Sequence, residues 1–233
     1  MRPKTWVQSA NLAIEGIIYS VKTQRHMRYH LVAALTALVL SLALNISRTE
    51  FILLCMAIVL VLVTEMLNTA IETTVDMISE EFHPRAKIAK DIAAGVVLIA
   101  SIGALTLGYL ILYPALKAAI ASGQWNARKT PNDVIAFVAL AVVIILVIIL
   151  KAFFGKGEPL HGGMPSGHAA VAFSIWTASV YLAGSVPIML LTLLLAVMVS
   201  WSRWSSGIHR PIEVISGALL GAGVTFLFFW LFT

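Results

Sequence analysis

The sequence predicts an all-α integral membrane protein, with an N-terminal amphipathic helix and about seven transmembrane helices in two bundles. Three observations predict it. Of 233 residues, 60% are hydrophobic and only 12% charged, against roughly 25% charged in a soluble domain. Such a chain lacks the polar surface that water demands, so the bilayer is its solvent. The apolar residues fall in runs at about 31–46, 51–75, 90–113, 132–150, 167–183, 187–202 and 212–232, each spanning or nearly spanning the roughly 20 residues of a bilayer crossing. The cations sit in the short polar stretches between those runs, where topology determinants meet anionic headgroups. The net charge of +5 therefore reads as membrane orientation and not as nucleic-acid binding.

Taken in order, the segment from Lys4 to about Lys22 sets Val7, Leu12, Ile14, Ile17, Ile18 and Val21 among polar residues. That pattern suits a helix lying in the membrane interface. It lacks the short apolar core and small-residue cleavage site of a secretory leader. Turn signals then punctuate the runs: Asn45 to Glu50, His83-Pro84, Tyr113-Pro114, Gly155 to Gly163, Gly184 to Pro187 and Arg210-Pro211. The run at 167–183 is short for a crossing. The single cysteine, Cys55, lies in an apolar stretch and has no partner for an internal disulfide.

Seven crossings distribute the 16 Lys and Arg residues unevenly, twelve on one side and four (Arg48, Lys117, Arg128, Lys129) on the other. Cytoplasmic loops carry the excess of cations, so the larger set is expected in the cytoplasm of a bacterial cell membrane. The polar, punctuated stretch 114–131 reads as an extracytoplasmic linker between two domains, 1–113 and 132–233.

The run at 51–78 contains Glu65, Asn68, Glu72 and Asp76. At about 100° per residue they fall within roughly 80° of one another, a single polar stripe on a helix. An ionisable group in mid-bilayer costs about 3 kcal/mol and marks function. The next helix opens with Lys87, Lys90 and Asp91. Carboxylates on one face beside cytoplasmic cations suit a divalent metal with nucleotide phosphate. A polar stripe that closes an oligomer interface or lines a pore is the structural alternative.

Glu65-Met-Leu-Asn68-Thr-Ala-Ile-Glu72-Thr-Thr-Val-Asp76 with Ala86-Lys-Ile-Ala-Lys90-Asp91-Ile-Ala-Ala-Gly95 resembles the small bacterial diacylglycerol kinase and undecaprenol kinase family, over roughly residues 5–113. The resemblance implies an ATP- and Mg²⁺-dependent lipid kinase without a P-loop, assembled as a homotrimer. It implies that Glu65 is the general base toward the lipid hydroxyl and that Glu72 holds Mg²⁺. Asn68, Asp76, Lys90 and Asp91 would position the nucleotide. The family's second metal carboxylate falls on Gln24 here. An amide oxygen can ligate the metal but brings no charge to offset its desolvation.

Three pieces lie at the ends of the later spans: Lys151-Ala-Phe-Phe-Gly-Lys156-Gly-Glu158-Pro159, Gly163-Met-Pro165-Ser166-Gly167-His168 and Ser202-Arg203-Trp-Ser-Ser-Gly-Ile-His209-Arg-Pro-Ile-Glu213. Ser166 is a natural cap for the helix that follows, whose free N–H groups and dipole make an anion site. Lys151 and Arg203 end their spans on the same side, and the Arg fork suits phosphate oxygens. His209 and Glu213, four apart, share a face if helical, so that the carboxylate orients the imidazole. His209 then serves as nucleophile and His168 as the acid for the departing oxygen.

These pieces resemble the type-2 phosphatidate phosphatase superfamily over about residues 132–233. The resemblance implies a phosphohistidine on His209 supported by Glu213, with His168 as acid. Lys151, Ser166, Gly167 and Arg203 would bind phosphate, and no metal is needed. Glu158 stands where the family's first motif has Arg, with Lys156 or His161 available to compensate; Glu213 replaces the usual Asp. The expected function is a membrane lipid-phosphate phosphatase fused to an ATP-dependent lipid kinase-like domain. The alternatives are a phosphatase whose kinase-like domain is an inactive scaffold, and a transporter using the intramembrane carboxylates. A transporter leaves the Pro-Ser-Gly-His and Ser-Arg-x5-His pieces unexplained. A kinase and a phosphatase working on one lipid at the same face would run a futile cycle, so the two domains are expected to differ in substrate or the kinase to be weak.

Overall fold

The computed structural model describes residues 5–79, 81, 83–122, 130–154 and 162–233. Among them the chain is helical throughout: α1 (Trp6–Thr23), α2 (Arg25–Ala43), α3 (Arg48–Ile78), α4 (Pro84–Ser122), α5 (Asn132–Phe154), α6 (Gly167–Leu182), α7 (Val186–Ser205) and α8 (Pro211–Phe232). Six of these, α2, α3, α4, α5, α7 and α8, are long and apolar enough to cross a membrane. Large apolar side chains stay exposed along all six, Leu60, Leu105, Leu194 and Leu219 among them. That exposure suits lipid and would be costly in water.

The expected seventh crossing is α6, and its 16 residues rise only about 24 Å, which leaves it out of that set. Together with the loop before it, it nevertheless reaches both ends of α5. Near its start, Lys151 at the end of α5 donates to the carbonyls of Gly162 (2.8 Å) and Gly163 (3.4 Å). At its far end, Asn132 at the start of α5 donates to the Tyr181 carbonyl at 3.5 Å. The segment from Gly162 through α6 thus meets both ends of the 23-residue α5.

Packing divides the chain into two compact units, Met1–Lys22 with Lys129–Thr233, and Thr23–Arg128. α1 is thus grouped with α5–α8 and not with the three helices that follow it. Its buried side is narrow (Asn11, Ile18, Ser20, Val21) while Trp6, Val7, Leu12 and Tyr19 are exposed, as an interfacial helix requires.

In the unit Thr23–Arg128, α3 packs on α2 and α4, and α2 also touches α4. Asn45 takes a positive φ of 45° at the turn after α2, a conformation Asn tolerates better than most residues. α3 then opens with a capping box: Glu50 N–H donates to Ser47 Oγ (3.3 Å) and Ser47 N–H to Glu50 Oε2 (2.7 Å). The expected break at Tyr113-Pro114 does not occur. Pro114 lies inside α4, which runs on to Ser122. Residues 115–121 are mostly Ala and Leu, strong helix formers, and neighbours in a membrane helix re-satisfy the backbone that a proline frees. The described part of the 114–131 linker is therefore helical to Ser122.

In the other unit, α6 packs against α5, α7 and α8, and α8 against α5. Val143, Val147 and Ala170 form a core with Leu220 and Val224 packed on it. Hydroxyl pairs tie the helices where apolar contact alone has little driving force: Ser174 to Thr225 at 2.7 Å and Ser179 to Thr192 at 2.8 Å. Tyr181 stacks on Phe229 with centroids 4.2 Å apart. Close approach of α8 to α6 depends on two glycines one turn apart. A Cβ on Gly217 would collide with the Ser166 carbonyl, and one on Gly221 with that of Ala170.

Candidate active sites

The ends of α5, α7 and the starts of α6 and α8 meet at one end of the four-helix bundle. Glu213 is the residue that joins them. Its carbonyl accepts the Ser166 N–H at 2.8 Å, which fixes the loop before α6 to the first turn of α8. Its carboxylate Oε2 lies 2.8 Å from His209 Nδ1 and also accepts the Arg210 N–H at 3.2 Å. The expected helical pairing of His209 with Glu213 is corrected by this geometry. His209 precedes α8, whose first residue is Pro211. Proline suits that first position because its missing N–H has no helical partner there. Glu213, three residues beyond Arg210, then reaches back as helix-initiating acids do and takes the imidazole with the same oxygen. The His209 N–H donates to the Arg203 carbonyl at 3.1 Å, which holds the turn between α7 and α8.

Three buried polar atoms here have no partner among the described residues: Ser166 Oγ, Arg203 Nε and His209 Nε2. Ser166 is fully buried and His209 only 4% exposed. Leaving such atoms unpaired costs about 1–3 kcal/mol each; the Ser166 hydroxyl and Arg203 Nε–H lack an acceptor, and His209 Nε2 lacks a partner for its lone pair. The expectation that the Ser166 hydroxyl caps α6 is not met. Ser166 holds the N-cap position without a side-chain cap bond, so the hydroxyl and the first N–H groups of α6 all remain for an anion. Gly167, the first residue of α6, brings no side chain to that end.

The charges of Lys151, Arg203 and Glu213 all act on His209, and those of Lys151, Arg203 and His209 act on His168. Burial pushes the His209 imidazole below its ordinary value; its bond to Glu213 opposes this, and the cations of Lys151 and Arg203 reinforce it. The neutral ring that results carries a free Nε2, the form a nucleophile needs. Lys151 is 8% exposed and bonds the two glycine carbonyls, so it shapes the loop as well as charging the site. Lys156, Glu158 and His161 lie outside the described residues.

The second cluster lies in the unit Thr23–Arg128. Gln24 Nε2 donates to Glu72 Oε2 at 3.3 Å, and Asn68 Nδ2 to Glu72 Oε1 at 2.9 Å. Residues 24 and 72, far apart in the chain, are thus together as expected. The Asn68 Oδ1 is buried without a partner among the described residues. Lys90 pairs with Asp76, and Lys87 with Asp91 at 2.6 Å. Glu65 is only 3% exposed, and its Oε2 lies 4.0 Å from His30 Nε2. No group of three or more His, Cys, Asp or Glu residues is placed to hold a metal among the described residues. The oxygens of Glu72 and the orphaned Oδ1 of Asn68 are still hard donors that fit a cation such as Mg²⁺, with one carboxylate to carry the charge.

Sequence reasoning missed three contacts: the Ser166–Glu213 backbone bond, the glycine approach of α8 and the His30–Glu65 pair. Only the second had a signal, the Gly-x-x-x-Gly spacing of Gly217 and Gly221, which lets membrane helices approach closely.

Fold and sites together define a membrane-embedded protein with two polar clusters, one gathering buried, unpartnered atoms of Ser166, Arg203 and His209 and one carrying carboxylates within a bilayer-length helix. Residues 11–112 match the prokaryotic diacylglycerol kinase family and residues 150–233 the PAP2 superfamily. An undecaprenol kinase of Bacillus subtilis is 38% identical over 101 residues, 43% of this chain and 82% of that protein. A diacylglycerol kinase of Synechocystis is 34% identical over 123 residues, 50% and 70% of the two chains. The diacylglycerol kinase of Escherichia coli is 32% identical over 107 residues, 46% and 88%. No solved structure matches the chain. The chain belongs to the prokaryotic diacylglycerol kinase family through its N-terminal part and carries a lipid phosphatase domain of the PAP2 superfamily behind it.

Proposed function

We propose that this protein is a lipid-phosphate phosphatase acting through a phosphohistidine on His209, fused to a lipid kinase-like domain. The observation that carries the reading is the trio of buried, unpartnered atoms on Ser166, Arg203 and His209, beside an imidazole already held by Glu213. Ser166 Oγ, the Gly167 N–H, Lys151 and Arg203 bind the phosphate oxygens and collect the charge that develops in transfer. His209 Nε2 attacks phosphorus, Glu213 stabilises the imidazolium that forms, and His168 gives its proton to the departing lipid oxygen. Water then hydrolyses the phosphohistidine, and His168 takes back a proton. This cycle uses no metal.

In the kinase-like domain Glu65 takes the proton of a lipid alcohol, a diacylglycerol or undecaprenol. Glu72, with Asn68 and Gln24, would hold the Mg²⁺, which supplies charge compensation for the phosphates of ATP. Asp76, Lys90 and Asp91 position the nucleotide. The domain of residues 1–113 assembles as a homotrimer, and the stretch 114–131, which begins as the last turns of α4 to Ser122, leads to the phosphatase at 132–233. Both sites face the cytoplasm, a reading supported by the twelve-to-four division of cations. The second reading, a phosphatase with an inactive kinase-like scaffold, is favoured by Gln24, which leaves the candidate metal site with one carboxylate.

The test is the full chain in nanodiscs, assayed for phosphate release from phosphatidate and undecaprenyl phosphates and separately for ATP-dependent phosphorylation of the alcohols. His209→Ala should abolish the first, remove an acid-labile phosphoenzyme and spare the second. Phosphate release by the variant at the wild-type rate would refute the nucleophile. A cysteine at Lys156, in a Cys55→Ala background, should label only from the cytoplasm; labelling from outside would overturn the orientation.

A further inference from the structure

We propose that His30 is a binding residue for the lipid alcohol, and that the hydroxyl is held between the His30 imidazole and the Glu65 carboxylate. The inference rests on the reading of Glu65 as the base but concerns a residue that reading does not use. Glu65 is buried in mid-helix on α3, where a carboxylate without a partner costs about 3 kcal/mol. The contact the structure gives that carboxylate is His30 on α2, at 4.0 Å.

That separation is too long for a hydrogen bond and of the right size for an inserted oxygen. An atom about 2.8 Å from both groups makes an angle of about 90° between them, within reach of a hydroxyl that donates to one and accepts from the other. The O–H donates to Glu65 Oε2, and the oxygen accepts from His30 Nε2–H. The hydroxyls of Thr64 and Thr69, the buried neighbours on α3, donate to the carbonyls of Val61 (2.9 Å) and Glu65 (3.0 Å). The Asn68 amide donates to Glu72. Among the described residues, His30 is the cross-helix group recorded against that carboxylate.

Exposure supports the arrangement. The His30 side chain is 22% exposed against 3% for Glu65, so the imidazole is the outer lip and the carboxylate the inner wall of the gap. His30 also lies five residues into α2 from Arg25, about 7 Å along the helix. In the transfer step the proton passes to Glu65 and the alcohol oxygen forms a bond to the terminal phosphorus of ATP. The bond from that phosphorus to the bridging oxygen breaks, and ADP leaves with the electron pair. His30 keeps its proton and holds the oxygen in line.

The experiment measures binding without ATP, on the full chain in detergent micelles, using radiolabelled dioleoylglycerol. The control ligand is 1,2-dioleoyl propanediol, in which a methyl group replaces the hydroxymethyl group. Undecaprenol forms a parallel arm, since it presents the same hydroxyl on a different lipid. His30→Ala should weaken binding of the preferred alcohol about tenfold and leave the deoxy control unchanged, while His30→Gln, whose amide can donate, restores most of the loss. The proposal is overturned if the alanine variant binds both alcohols like wild type, or loses the deoxy control equally. It is also overturned if wild type itself shows no preference for the hydroxyl. Hydroxyl binding that depends on His30 in a chain without ATP turnover would sink the kinase reading alone.

Discussion

Replacing Gly217 by alanine puts a methyl group onto the backbone of Ser166. The built Cβ falls well inside the 3.0 Å that real Cβ atoms essentially never breach, and it meets the carbonyl, not the end of a flexible side chain. Neither partner can give way independently, because the Ser166 N–H is bonded to the Glu213 carbonyl one turn earlier on the same helix. The helix or the phosphate loop must move, at a cost of about 1–3 kcal/mol, the usual range for overpacking. A displacement of about 1 Å in a site of this kind lowers the rate about a hundredfold. Gly223 on the same helix is the comparison, since a Cβ there meets nothing within 4 Å and alanine gains about 0.8–1 kcal/mol of helix propensity. The assay is kcat/KM for phosphate release from phosphatidate in nanodiscs, with thermal unfolding of each variant alongside. Gly217→Ala should lose about two orders of magnitude and Gly223→Ala essentially none. Activity of Gly217→Ala within threefold of wild type, or equal impairment of both, would show that the glycine approach does not set the cradle.

Glu213→Gln removes the interaction that raises the His209 pKa against burial. The imidazole then protonates only at lower pH, so the acid limb of the kcat/KM profile should move down in pH while the rate falls about a hundredfold or more; an upward move would contradict the assignment. Gln24→Glu adds a second carboxylate beside Glu72 and should raise ATP-dependent lipid phosphorylation severalfold at limiting Mg²⁺, and an unchanged rate would argue that position 24 does not face the metal. Ser47→Ala breaks the capping box of α3 and should destabilise the kinase-like unit by about 1 kcal/mol, measurable as a lower unfolding temperature with phosphate release unaffected.

The class of fold was plain in the sequence because bilayer spans announce themselves by length and hydropathy, and the polar clusters because charge in such runs is rare. One element boundary and one capping bond were misjudged for physical reasons. Pro114 looked like a stop, but the alanine-rich stretch after it continues the helix. Ser166 looked like a cap, but its hydroxyl makes no bond to the helix it precedes. The His209–Glu213 pair was legible from spacing alone and yet arises differently, from an acid in the first turn of α8 reaching back over Pro211. The His30–Glu65 pair was not legible, since nothing in the spacing of α2 tells which face of that helix meets α3.

Glu213 grips His209 with its side chain and the loop before α6 with its carbonyl. Bilayers differ in thickness by several ångströms, and helices answer by tilting or sliding. Had the histidine and the loop been mounted on separate helices, each such adjustment would change the distance between His209 and Ser166. With both fastened to one residue at the head of α8, they travel as a unit. The spacing between His209 and the loop before α6 is thereby kept when the helices of the bundle tilt or slide.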